Sequence, residues 1–337
     1  MKQRRGTEGS ADQAAGSRFS RRAFLGAVGG AGLAGIAGYG LYQGGESTAP
    51  VSILAAGSLQ HALETELRPA VDVPVHIECH GSMTVARLVA EGQRDPDIVV
   101  VADPAVFEET LPVPWHVVFA SNAVVLAYDA NSPGGRRIEA AGPDRWYEPL
   151  LAGSVDLGRV DPDLGPLGYR TLFALELATR LYDDASDLRE RIPQRKQTYP
   201  ATGLVGQFET GGLDAAFAYR NMAVERGYDF LTLPDRINLS DPDHVEEWYS
   251  TTTYQLPSGQ VVRGGLIGYG ATLRSDRAAS LAVFDALTSG SSLQGSGFLF
   301  RDRFPTVTGE VPDRVRRVLG SGVGRSPDRT DTAEQTN

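Results

Sequence analysis

The sequence predicts an α/β protein of two lobes with hinge crossings and a cleft between them, the first lobe built on a doubly wound open sheet. Three observations lead there. Strand-turn-helix patterns follow one another from Val51 to Asp103. The apolar stretch WHVVFASNAVVLAYDA, Trp115 to Ala130, is too long for one strand and is broken by Ser121-Asn122, which suits a chain leaving one lobe for another. A later stretch, VVRGGLIGYGATL from Val261 to Leu273, supplies the return crossing. With 337 residues, 41% of them hydrophobic and 22% charged, the chain is long enough to bury two cores.

The elements follow in order. VSILAA ends at Gly57-Ser58, after which Leu59, Ala62, Leu63 and Leu67 fall at helical spacing. VPVHIECH alternates and ends at Gly81-Ser82, and Met83, Ala86, Leu88 and Val89 form the next helical stripe, closed by Glu91-Gly92. DIVVVAD reads as a strand buried on both faces, leading into a loop at Asp103-Pro104. Beyond the first crossing come the loop NSPGG, the segment WYEPLLAG, a long stretch from Val155 to Tyr182, a helix from about Thr202, and strands in DAAFAYR and DFLTLP. AASLAVFDALTSG is an amphipathic helix of the first lobe. The predicted organisation is therefore residues 50–122 and 266–319 in lobe 1, 123–265 in lobe 2, and a polar tail, 320–337, with no regular structure.

Residues 1–49 form a leader. SRFSRRAFLGAVGGAGLAGIAGYGLYQGG sets Arg21-Arg22 before a glycine-rich, mildly apolar run without charge as far as Tyr42, and so resembles a twin-arginine export signal. That places the working domain outside the cytoplasmic membrane, with the leader either cleaved or kept as a tether. The net charge of −10 argues against a nucleic-acid partner, because neutralising phosphates needs a basic face. Cys79 is the single cysteine, so no intrachain disulfide forms, and the scattered histidines have no metal-ligand spacing. His80 beside Ser82 lacks a G-x-S-x-G context and points away from it along the strand, so no hydrolase triad is expected.

The two Gly-Ser corners carry the chemistry. In an open sheet, ligands sit beyond the carboxyl ends of the strands. Glycine permits a tight turn and close approach, and a serine there caps the following helix while offering its hydroxyl beside unpaired amides. Two such corners in successive units aim at one point.

AAGSL, GSMTVARL and DIVVVAD resemble the first lobe of the molybdate/tungstate-binding proteins of ABC importers. WHVVFASNAVVLAY, WYEPLL, GRVDPDLGPLGYRTL, GGLDAAFAYRNMAVERGYDFLTLPDRINLSDP and IGYGATL are similar, in the same order, to the archaeal tungstate-binding branch. The likeness spans about residues 51 to 305. It implies a type II periplasmic-binding-protein fold that closes like a hinge on its ligand, with no chemistry done on it. Ser58 and Ser82 match the oxyanion-binding serines, and Gly57 and Gly81 shape their turns. In lobe 2 the resemblance points to Gly165 in the loop before Pro166, to Thr202 and Gly203 at a helix start, and to Tyr219.

Two departures stand out. Where that branch carries an Asp and a Glu that bond the metal directly, this chain has Gly165 and Ala218. Asp163, two residues upstream of Gly165, is a candidate displaced substitute. Without carboxylates, the resemblance implies a tetrahedral oxyanion, molybdate or tungstate, held by hydroxyl and amide donors alone. It also implies a membrane permease and ATPase as partners, a monomer, and no resident cofactor. The competing reading is a surface sensor of the same fold for another anion or a small organic acid.

Overall fold

The computed structural model describes residues 49–192, 197–301 and 304–319, together with the backbone of Gly324–Arg325. The twin-arginine segment lies outside the described residues, and so does most of the tail.

The chain opens with β1, Val51–Ala56, then β2, Val75–His80, and β3, Ile98–Val101, with β2 and β3 parallel to β1 on either side. All four side chains of β3 are fully buried, as befits a strand covered on both faces. The apolar stretch from Trp115 is two strands, β4, Trp115–Ser121, and β5, Val124–Tyr128, and they belong to different sheets. The crossing is therefore Asn122-Ala123, at the polar interruption.

The second sheet continues with β6, Leu157–Val160, β7, Thr198–Tyr199, β8, Ala215–Tyr219, and β9, Asp229–Thr232, in the order β7-β6-β8-β5-β9. β10, Thr253–Gln255, and β11, Val261–Arg263, form a separate antiparallel hairpin. The sequence reading folded β11 into the return crossing. Gly264 separates them instead: a β-carbon there would lie 2.1 Å from the Tyr249 carbonyl oxygen, so only glycine fits this bend.

β12, Gly268–Leu273, re-enters the first sheet, antiparallel to both β3 and β4 and lying between them. β13, Thr306–Gly309, and β14, Gly324–Arg325, complete it in the order β14-β13-β4-β12-β3-β1-β2. The sequence assigns no element to the tail, yet Gly324–Arg325 pair in parallel with Thr306 and Val307, using the open edge of β13.

Asp97 pins the end of the first sheet remote from the corners. It accepts from the Ser52 amide at 2.8 Å and from Arg277 at 2.8 Å. Burial alone would raise its carboxyl, but these donors hold it down to about 2.

Candidate functional site

The register of β1 and β2 pairs Ala56 with His80, so both strands end together and Gly57 and Gly81 turn side by side. From these turns run a helical segment, 57–70, and the helix Ser82–Ala90. The expectation that the serines cap these helices is corrected by the geometry. The capping positions are Ala56 and Gly81, both extended, and neither receives a side-chain cap. Ser82 Oγ instead accepts from the Ala102 amide, just past β3, at 3.0 Å, and Ser58 Oγ accepts from the Tyr269 hydroxyl at 3.1 Å.

That difference fixes where the serine protons go. Tyr269 accepts from Asn122 Nδ2 at 3.1 Å, so its own proton points to Ser58. Asn122 is oriented in turn, since its Oδ1 accepts from the Ala123 amide at 2.9 Å and the Asn221 amide at 3.3 Å. Each serine oxygen is thus already an acceptor, and its single proton remains to be donated. The chain from Asn122 through Tyr269 to Ser58 also polarises that donor.

Glycine is required at one corner for space, not for an unusual backbone. Gly81 has φ −62° and ψ 143°, open to any residue, but a β-carbon there would lie 2.2 Å from the Leu164 carbonyl oxygen of lobe 2. A β-carbon on Gly57 would lie 3.8 Å from the Ala201 β-carbon, also in lobe 2. The corners of the two lobes therefore meet.

On the lobe 2 side, Gly165 caps the helix Pro166–Leu181, and Pro200 caps the helix Ala201–Glu209. The first helix-closing bonds run from Gly168 to Gly165 and from Leu204 to Pro200, so the amides of Leu167 and of Ala201, Thr202 and Gly203 have no partner within their helices. Helix N-termini carry partial positive charge, and three of them, beginning at Ser82, Pro166 and Ala201, border the serine corners. Thr202 itself is exposed. Tyr219 lies behind the wall, its ring 6.2 Å from that of Tyr269 and its hydroxyl accepting from Arg170 at 2.8 Å. Burial pushes the hydroxyls of Tyr169, Tyr219 and Tyr269 upward, so all three stay protonated at neutral pH.

The acidic substitute is engaged by the hairpin. Asp163 is exposed and accepts from the Tyr254 hydroxyl of the hairpin at 2.7 Å. His80 bonds Glu78 at 2.8 Å and takes no part in the serine network. Among the described residues, no group of three or more His, Cys, Asp and Glu side chains could hold a metal ion. Sequence reasoning missed Asn122 and Asn221. Asn221 is fully buried and joins the lobes, donating to the Ser58 carbonyl oxygen at 2.7 Å. The signal for Asn122 was its place as a polar residue inside a long apolar run.

A model of bacterial extracellular solute-binding proteins matches residues 51–263. The chain belongs to that family. A Haloferax volcanii protein named "Putative ABC transporter molybdenum-binding protein" is 53% identical over 304 residues, which are 89% of this chain and 98% of that one. The molybdate/tungstate-binding protein of Pyrococcus abyssi is 27% identical, over 82% of this chain and 91% of its own. The periplasmic molybdate-binding protein of Azotobacter vinelandii superposes with a TM-score of 0.51 at 14% identity, covering 74% of this chain and 99% of that one. This chain and the Azotobacter protein thus share the two-lobe fold. No described helix is long and apolar enough to cross a membrane.

Proposed function

We propose that this solute-binding protein captures a tetrahedral oxyanion, molybdate or tungstate, between its lobes and delivers it to the permease and ATPase of an ABC importer. The observation that carries the reading is the state of the two serines. Ser58 and Ser82 have their oxygens occupied by Tyr269 and by the Ala102 amide, which leaves both protons for a ligand that only accepts. An oxyanion is such a ligand, and a carboxylate-free wall of hydroxyls and amides binds it without charge repulsion. Relatives named for molybdenum, molybdate and tungstate support this cargo. Gly57 and Gly81 give the backbone close approach, Gly165, Thr202 and Gly203 place lobe 2 amides opposite, and Tyr219 supports the wall through Arg170.

Sulfate is the smaller anion and leaves some of these donors unpaired, so it is rejected; molybdate and tungstate, nearly equal in size, are barely separated. The Arg21-Arg22 leader supports export by the twin-arginine route to the outer face of the cytoplasmic membrane, where the protein works as a monomer.

Isothermal titration with molybdate, tungstate, sulfate and phosphate tests the cargo. Saturable heat below millimolar with the first two and none with sulfate is the expected result. No heat with either molybdate or tungstate overturns the assignment, and heat with a small carboxylate instead would make the protein an organic-acid receptor.

A further inference from the structure

The lobes are also joined beside the serine corners, by groups that belong to neither corner. Arg170 stands in the first turns of the helix Pro166–Leu181 and is 4% exposed. Its Nη2 reaches Oδ2 of Asp103, just past β3 in lobe 1, at 3.0 Å, and its Nη1 donates to the Ala102 carbonyl oxygen at 2.5 Å. Tyr169 donates to the same carboxylate at 2.6 Å, and Asp103 Oδ1 accepts from the Ala105 amide at 3.2 Å. From the hairpin, the Tyr254 ring stacks on Tyr169 at 6.4 Å, and Gln260 accepts from Thr110 of lobe 1 at 3.3 Å.

Ala102 links this cluster to the site. Its carbonyl receives Arg170 from lobe 2, and its amide donates to Ser82 Oγ in lobe 1. We propose that Arg170 and Asp103 form a closure clamp that sets how much of the protein is closed before any anion arrives, and that Arg170 positions Ser82 through Ala102. Arg170 is then a positioning residue that does not touch the anion. The inference rests on the cleft reading above for its effect on affinity, but not for its effect on closure.

The reasoning is one of differential burial. When the lobes part, both charges reach water; when they close, Arg170 is buried and Asp103 largely so, and Asp103 is the one opposite charge Arg170 meets, its other partners being the neutral Ala102 carbonyl and the Tyr219 hydroxyl of its own lobe. Removing one charge leaves its partner buried and uncompensated in the closed form alone, which shifts the molecule towards open. Apparent affinity then falls with the closed fraction, although no ligand contact has been removed.

The test uses Asp103→Asn, Arg170→Gln and the double variant in the full-length protein, titrated with molybdate or tungstate. The clamp predicts that each single variant binds about 10-fold more weakly and that the double variant recovers much of the loss, since no charge is left unpaired. If Arg170 instead met the anion directly, Asp103→Asn would bind as well or better and the double variant would stay as weak as Arg170→Gln; that pattern overturns the proposal. Closure is read separately in ligand-free protein. Nitroxides at Arg87→Cys in lobe 1 and Gln207→Cys in lobe 2, in a Cys79→Ser background, should move apart in both single variants by double electron–electron resonance. Unchanged distances in folded single variants overturn the clamp even if the cargo stands, and longer distances support it even if no tested oxyanion binds.

Discussion

In the first lobe the proposed site rests on Ser58 and Ser82, hydroxyls turned by bonds from Tyr269 and the Ala102 amide. In the second it rests on the backbone at Gly165, Thr202 and Gly203, where helices begin whose first amides are unpaired within them. One half of the proposed site is therefore built from side chains held by distant partners, and the other from backbone amides. Substitutions should reach the first half through hydrogen bonds and the second mainly through shape. The facing glycines show the asymmetry again: Gly81 has no room for a β-carbon, whereas one on Gly165 would come no nearer than 3.9 Å to Val160 and 4.0 Å to the Gly81 α-carbon.

The largest effect should come from Gly81→Val. Its backbone angles suit any residue, so lobe 1 folds, but the side chain meets the Leu164 carbonyl and blocks closure. Oxyanion affinity should drop by more than about 100-fold, around 3 kcal/mol, with little change in Tm; near-native affinity by calorimetry would show that the corners need not meet.

Acidity should separate the lobes next. His116 of β4 is held down to about 4 by burial, from 6.5. In that window the unfolded chain binds the extra proton, so this contribution to stability is present above 6.5 and is lost as pH falls through about 4, about 3 kcal/mol in all. Glu225, in the lobe 2 helix Arg220–Arg226, is raised to about 7, from 4.5, by burial, with the Asn221 bond and Arg226 opposing that shift and Glu66 adding to it. Its contribution has the opposite sign: fully present below 4.5 and lost as pH rises through about 7. Denaturant unfolding at pH 4.5 to 6.5 should thus become more strongly pH-dependent in Glu225→Gln, with stability rising with pH, and should reverse slope in His116→Phe.

Smaller losses are expected for the serines. Ser58→Ala and Ser82→Ala should each weaken oxyanion binding by about 1–2 kcal/mol, and Ser82→Ala should also lower Tm because the Ala102 amide loses its acceptor. Equal affinity in both would mean that lobe 1, like lobe 2, binds through amides only. The smallest effect belongs to Gly165→Ala, within about 0.5 kcal/mol by titration, since φ of −171° and the open space both admit a methyl group.

The corners were legible because their causes are local: an apolar run ending at Gly57 or Gly81, then a helical stripe. The first crossing was legible for the same reason, as a polar pair inside an apolar stretch. What those serines do was not. The acceptor role of Ser82 depends on Ala102, beyond the next strand, and that of Ser58 on Tyr269, which reaches it only after the return crossing. The pairing of Asp103 with Arg170 likewise joins residues that only the two-lobe arrangement brings together. Hydrophobic periodicity is silent about such contacts, and so the capping role was assigned to side chains engaged elsewhere. The hairpin of β10 and β11 and the two-residue β14 were missed because short strands carry too few positions to show a period.

The position of β12 also bears on how the protein is made. β3 and β4 follow each other in the chain but do not pair, and the gap between them is filled only by Gly268–Leu273, after the whole second lobe has been synthesised. Until then the first lobe holds two apolar strands with unpaired edges, the exposure that leads chains to associate. A chain stopped after Ile267 would keep every serine and glycine of the proposed site and the whole second sheet, yet should be recovered as aggregate, leaving the first lobe dependent on a late part of the protein to be translated.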